Sequence, residues 1–461
     1  MPRSVLRVAA VILVIVLAVC IPVFLTGYSE LGEARRAISY LEAARHYEAA
    51  AKRLPWRPDL YELAGHAYYH AKEYLYADAV YQKAFARSAL SAQGWVAWGD
   101  VNYLNGNSQR AAEIWEQGLS QPDHSENLYT RLARIHEESG EYTQAAKLLQ
   151  QYVSIHEEDA TAQYRLGLML TLSSPEEALS RLIIASQLDP ELDPVIGTLR
   201  TALNMASLND SPSARLVIIG RGLGLVNEWE LARAAFESAV RADEENAEAW
   251  AWLGEAQQHT AGKEALTYLD RALGLNPNSP TVRGLRGLYF QRIGNDREAL
   301  KEFQFAALFD PQNPAWFVSI GETYSKLGDL IRALESYQHA AALTPNDATY
   351  FRLLASFCAQ NNINIRDVGI PAAQKAVQLS NDDPLALDTL GWLLTLDGRL
   401  HEAERMLLKT LEHNPQMASA HWHLALVYLE MDERAAAYDH LIRARDLGSS
   451  EASMALEQYF P

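Results

Sequence analysis

The sequence predicts an all-α chain: a solenoid of about eleven stacked helix–turn–helix repeats behind one membrane-spanning helix. Three observations carry this. A 34-residue pattern recurs through most of the chain, small residues stand at fixed offsets within it, and an uncharged apolar run opens the sequence. The clearest copy is Pro384–Met417, two amphipathic helices around a tight turn. Leu390 and Gly391 sit midway along its first helix, Gly398 marks the turn, Ala403 and Leu407 line the second helix, and Pro415 closes it. A unit of this size cannot bury its apolar face alone, so copies must stack on one another.

Two further copies follow the same offsets. Pro314–Asp347 has Phe317, Ile320, Gly321, Tyr324, Gly328, Ala333, Tyr337, Ala340 and Pro345; Pro280–Asn313 has Gly287, Phe290, Gly294, Ala299, Phe303, Ala306 and Pro311. Small residues at positions eight, twenty and twenty-seven let helices approach closely, and large ones fill the gaps between them. On these residues the chain resembles the tetratricopeptide repeat family. The resemblance implies a right-handed α-solenoid that binds partners along the concave surface of its first helices.

In order, residues 1–28 form a stub and anchor. Val8–Leu25 carries no charge over 18 residues; as a helix it spans roughly 27 Å, enough to cross a bilayer. A cleaved signal peptide competes with an uncleaved anchor, although Val23-Phe24-Leu25-Thr26-Gly27 is a poor cleavage site. A lipoprotein would use Cys20, and the bulky Val19 before it argues against that. Arg3 and Arg7 ahead of the run, with Glu30 and Glu33 after it, favour the N-terminus inside. The expected location is therefore the cell membrane, single-pass, with the repeats on the extracytoplasmic side.

Residues 29–192 form a first block, a degenerate half repeat plus four repeats starting at Pro58, Ala92, Glu126 and Ala160. Glu30–Leu54 has no Gly or Pro and predicts one long helix. Within 193–212 the register breaks. Pro194–Asn209 predicts a helix, and Asp210-Ser211-Pro212 ends it before a partner helix appears, so a hinge is placed there, with a degenerate repeat and no hinge as the alternative. Residues 213–448 form a second block of seven repeats, in which Asn361–Gly369 predicts a long polar turn. Residues 449–461 predict a capping helix with Ser449 or Ser450 at its start.

Composition excludes some functions. The net charge of −18 disfavours nucleic acid as a partner. Two cysteines, Cys20 and Cys358, cannot make a cysteine metal module. Gly220-Arg221-Gly222-Leu223-Gly224 suggests a phosphate loop but lacks the preceding strand. His421 and His423 point apart on one helix, too far round to share a metal. Glu62, His66 and His70 share a helical stripe with zinc-like spacing; a polar patch is the plainer reading, and no metal or other cofactor is expected. With repeats running to the last residues, no catalytic domain is expected and the chain reads as a non-enzyme.

The family's groove positions select two candidate surfaces for protein or peptide segments. In block one they include Glu62, His66, Tyr69, Val96, Asp100, Tyr103, Thr130, Arg134 and Tyr164, with Tyr69, Tyr103, Arg134 and Tyr164 as the contact residues. These positions lack the Lys/Asn/Arg clamp by which some family members hold C-terminal carboxylates. Near the end of block two they form an apolar patch of Trp392, Leu396, Trp422 and Leu426, with Leu385, Asp388 and Leu429 beside it. Tryptophan and tyrosine dominate binding hot spots, although both tryptophans could instead pack on neighbouring helices or the cap. The reading is a non-catalytic scaffold or adaptor for assembly of a membrane or envelope complex, anchored through Val8–Leu25. The pairing of anchor and repeats is similar to that of bacterial envelope-assembly adaptors, without the cysteine pairs of their metal module. The alternative is an accessory subunit that stacks a surface polysaccharide on these aromatics.

Overall fold

Most repeats begin where a side chain can take a free amide at a helix start. Ser91 accepts from the Gly94 amide, Asp159 from Ala162, Asn246 from Ala249, Ser279 from Val282 and Asp383 from Ala386. Pro280, Pro314 and Pro384 occupy first-turn positions, where a missing N–H costs nothing. The computed structural model describes residues 3–260 and 263–460; in the first helix, side chains are described for residue 18 and from residue 20 onward. Among the described residues there are 26 α-helices, one 3-10 turn, one short π-helical segment and no strand. Contacts divide the chain into two units, residues 1–235 and 236–461.

In most repeats the inner turn puts one residue in the left-handed region. Gly106, Gly140, Gly294, Gly328 and Gly398 hold it at φ of 75–81°. Lys72, Asn227 and Asp432 take the same place at φ of 62°, 65° and 63°, where a Cβ is crowded. Packing explains the other conserved offset. A Cβ on Gly99 would meet the Trp115 ring at 2.0 Å, and one on Gly391 would meet Leu407 Cγ at 2.5 Å. The eighth residue of a repeat thus lies under the large twenty-fourth residue of the same repeat. Ala77, Ala84, Ala299, Ala306, Ala333 and Ala403 are completely buried where the helices approach.

Three elements differ from expectation. The predicted helix Glu30–Leu54 is broken at residues 37–39: helix α1 spans Arg3–Arg36 and helix α2 spans Tyr40–Arg53. The reason is a Ser-x-x-Glu start signal. Ser39 accepts from the Glu42 amide, and the break lets α2 fold back on α1. Gly27 of α1 packs so tightly on Leu54 that a Cβ would sit 2.8 Å from Leu54 Cγ. The half repeat is therefore a complete hairpin whose first helix continues the apolar run.

Secondly, the helix expected to lack a partner, Asp193–Ser207, packs on Pro212–Leu225, with Gly222 directly against Ala202. The glycine run 220–224 lies inside that second helix and forms no loop. Thirdly, the polar turn at 361–369 is half helical. Asn362 and Asn364 are left-handed, Ile365–Gly369 is π-helical, and Ile363, Ile365 and Val368 pack on the core. The last helix, Ser450–Tyr459, starts at Ser449, whose hydroxyl accepts from the Ala452 amide.

Among the described residues no helix is long and apolar enough to cross a membrane. The expected anchor, Val8–Leu25, falls mostly outside the residues whose side chains are described.

Candidate partner-binding surfaces

In the first unit, the repeat places equivalent residues on one ridge. Tyr69 and Tyr103 are 34 residues apart, as are Arg131 and Arg165. With Asp100, Leu104, Trp115, Thr130 and Arg134 they line an open pocket of about 410 Å³. Its charges are ordered by ion pairs between successive repeats. Arg131 grips Asp100 with two bonds, Nε to Oδ1 at 2.5 Å and Nη2 to Oδ2 at 2.8 Å. That carboxylate raises the Arg131 pKa further. Arg165 is paired with Glu137 through a single Nη2–Oε2 bond.

The rim is looser. Arg134 lies over the Tyr103 ring, 4.9 Å from its centroid, and donates to Glu138 at 3.0 Å. The Tyr103 hydroxyl donates to the same carboxylate at 2.5 Å, which holds its proton on and raises its pKa. Both Arg134 and Glu138 are largely exposed, so this cluster can reorganise around a ligand at little cost. The Tyr69 phenol is raised by burial first and by Asp100 second. The pocket therefore offers aromatic faces, one exposed guanidinium and two clamped ones.

Of the residues selected from the sequence, Tyr69, Tyr103 and Arg134 come together here. Tyr164 does not line the pocket; it is half-buried, and burial with Glu228 nearby pushes its phenol up to about 12. Arg131, Arg165 and Trp115 were missed. The available signal was arginine at the same repeat position in two consecutive copies, which must line one ridge.

In the second unit the selected positions are mostly filled. Trp392 stacks on His423, with ring centroids 4.8 Å apart and planes 13° from parallel. His423 Nδ1 is bonded to Asp388 at 2.8 Å, and both side chains are only 8 % exposed. Trp422 packs against Leu441, Ala444, Ala452 and Ala455, the cluster that joins the last repeat to the final helix. Leu396 remains 41 % exposed, while Leu426 is half-buried. Both tryptophans thus spend much of their area on their own chain.

The histidines also have defined internal partners. His421 bonds the Pro415 carbonyl through Nε2 at 3.1 Å and His440 through Nδ1 at 2.8 Å, pointing away from His423. In the first unit, Glu62 accepts from the Ser91 amide and hydroxyl and meets His66 at 3.3 Å. His66 also bonds the Tyr81 hydroxyl at 2.9 Å, whereas His70 lies beside Tyr40. Glu62 therefore ties the first repeat to the start of the next, His66 bonds within its own repeat, and His70 faces elsewhere.

Two models of the tetratricopeptide repeat match the chain, one over residues 130–190 and 226–280 and the other over 317–347. No protein with a curated description matches it. Solved structures similar to it include yeast Tom70, at 17 % identity and TM-score 0.40 over 96 % of this chain and 95 % of that one. The Cut9–Hcn1 hetero-tetramer of APC/C is similar at 14 % identity and TM-score 0.40, over 97 % and 98 %. YrrB, described as a repeat protein of this type with an unusual peptide-binding site, is similar at 18 % identity and TM-score 0.33, over 41 % of this chain and 97 % of its own.

Proposed function

We propose that this chain, matched in part by tetratricopeptide-repeat models, works as a non-catalytic scaffold whose first unit holds a segment of a partner protein. The observation that carries this is the open pocket between Tyr69, Tyr103 and the three arginines. Aromatic walls supply contact area, and the guanidinium groups order backbone carbonyls or side-chain oxygens of a bound segment. The pocket's size suits one or two side chains at a time, so affinity comes from several repeats together.

The membrane part of the reading rests on sequence. Val8–Leu25, preceded by Arg3 and Arg7, tethers the chain as a single-pass protein with its repeats outside the cytoplasm. A scaffold held there serves assembly of a membrane or envelope complex.

The test is site-specific photo-crosslinking in full-length protein, with the crosslinker placed at Tyr103 in one sample and at Trp422 in another. The expected result is a defined adduct from position 103 only, lost when Arg131→Ala is added. An adduct from position 422 alone moves the binding surface to the second unit. Absence of adducts at both positions removes the scaffold reading.

A further inference from the structure

The first hairpin joins the apolar run to the repeats without a linker. Helix α1 runs unbroken from Arg3 to Arg36, and its final turns are packed on α2. Three contacts lock the pair. Gly27 sits against Leu54; Glu30 meets His46 at 2.7 Å and Arg53 at 3.1 Å; and Leu31 is buried with Ala50, Ala51 and Leu54. A helix held this way cannot swivel independently of the first repeats.

This lock fixes which part of the domain stands level with the end of the run. Phe24, next to last in the run, meets the Trp56 ring edge-on with centroids 4.4 Å apart. Trp56 lies in the turn between α2 and helix α3 (Asp59–His70) and is 49 % exposed. Beside it on α1, Leu25 is 65 % exposed, and Ile21, Val23 and Tyr28 are exposed as well. The cations at this end are Lys52, paired with Glu48, and Arg57, paired with Asp59, with Arg87 beyond them over the Tyr61 ring. The turn itself, Leu54-Pro55-Trp56-Arg57-Pro58, holds one cation and no acid.

We infer that the turn of residues 54–58, with Trp56 at its tip, rests in the headgroup layer of a phospholipid bilayer and holds the first repeats in a fixed orientation on it. The inference rests on the tether reading above. Tryptophan is favoured at that depth because one edge of its ring is apolar and the other donates a hydrogen bond. Lys52, Arg57 and Arg87 face phosphate groups there, and the exposed apolar residues of α1 are covered by lipid. The opposite end of the hairpin, at the fully exposed Ile38, then stands about 20 Å farther out.

The experiment uses full-length protein in vesicles of phosphatidylcholine with a minority of phosphatidylglycerol. Cys20→Ala removes one native thiol, and Cys358 is buried. A polarity-sensitive fluorophore is attached through Arg57→Cys or Ile38→Cys, and quenching by headgroup-proximal brominated lipids is compared. The expected result is quenching several-fold stronger at position 57 than at 38, lost at 57 on adding Trp56→Glu while the protein still floats with the vesicles. Equal, weak quenching in protein that floats overturns the docked turn and leaves the tether standing. Quenching at 57 that survives Trp56→Glu overturns the role of Trp56. Protein that fails to float overturns the tether and this inference with it.

Discussion

Asp100 and Trp392 occupy the same position in their repeats, and Arg131 and His423 occupy the same position in the repeats that follow. Each pair therefore meets across a repeat junction. In the first unit the meeting is a two-bond ion pair set at the back of a cavity. In the second it is a stacked pair of rings, with Asp388 buried behind the histidine. The backbone rule is identical; the chemistry at the two positions decides whether space is left in front. A carboxylate and a guanidinium satisfy each other in one plane and leave room for a ligand. An indole on an imidazole is bulk, and it fills the space between the two repeats. The lesson is that a groove position names a contact between repeats before it names a contact with a partner.

The sharpest way to break the comparison is at the glycine that precedes each junction residue, Gly99 before Asp100 and Gly391 before Trp392, which packs inside its own repeat. Gly99→Ala drives a methyl into the Trp115 ring, which cannot swing away without losing its bond to the Val96 carbonyl at 3.2 Å. It should cost about 3 kcal/mol and remove the pocket, since Trp115 lines it. Gly391→Ala meets a leucine with freer rotamers, and the loss should be nearer about 1.5 kcal/mol. Chemical denaturation of the two variants measures both; equal losses contradict the difference drawn between the junctions.

Next in size is Asp388→Ala. It strands the buried His423 without its partner, at about 2 kcal/mol. Trp392 loses the ring it lies on, so the emission of the chain should move to the red. A variant of wild-type stability would show that the second junction is held by stacking alone.

Acid should separate the units further. Burial and the neighbouring His421 push the His440 imidazole down to about 4, with Arg443 lowering it and Asp439 opposing. The His421 Nε2–H donates to the Pro415 carbonyl, so its Nδ1 accepts from the His440 Nδ1–H. A proton on His421 would oppose the two N–H groups. Because the folded-state value lies below that of the unfolded chain, the unfolded chain binds the proton first. Stability is therefore complete above about 6.5 and falls as the pH drops toward about 4. Thermal melts across that range should show the decline, and His440→Asn should flatten it. A decline unchanged in the variant assigns it to other groups.

The smallest expected effect is a gain. Lys72 stands at φ 62° in a turn where five other repeats use glycine. Lys72→Gly should stabilise the first unit by about 1 kcal/mol, the relief of a left-handed side chain less the added freedom of the unfolded glycine. Asn227→Gly should do less, since asparagine tolerates that region. A loss in the Lys72 variant would show that its side chain contributes more than its backbone costs.

What the sequence determined by itself was everything periodic: the helix pairs, the turn residues, the glycine beneath each large residue and the alanines between helices. Those features recur, so one copy explains the next. Single events were harder to read. The Ser39 start signal was legible but hidden in a stretch free of glycine and proline, and the π-helical segment after Asn364 left no periodic trace. The pocket was half legible: Tyr69, Tyr103 and Arg134 follow from repeat position, and the recurrence of arginine at 131 and 165 was readable too, while the ion pairs that fix those two arginines are seen only in the structure. Whether Trp392 and Trp422 present a free surface was decided by tertiary structure alone. Repeat position fixes where a side chain starts, but its exposure depends on which residue of the next repeat or final helix reaches over it, and that is a property of the packed array.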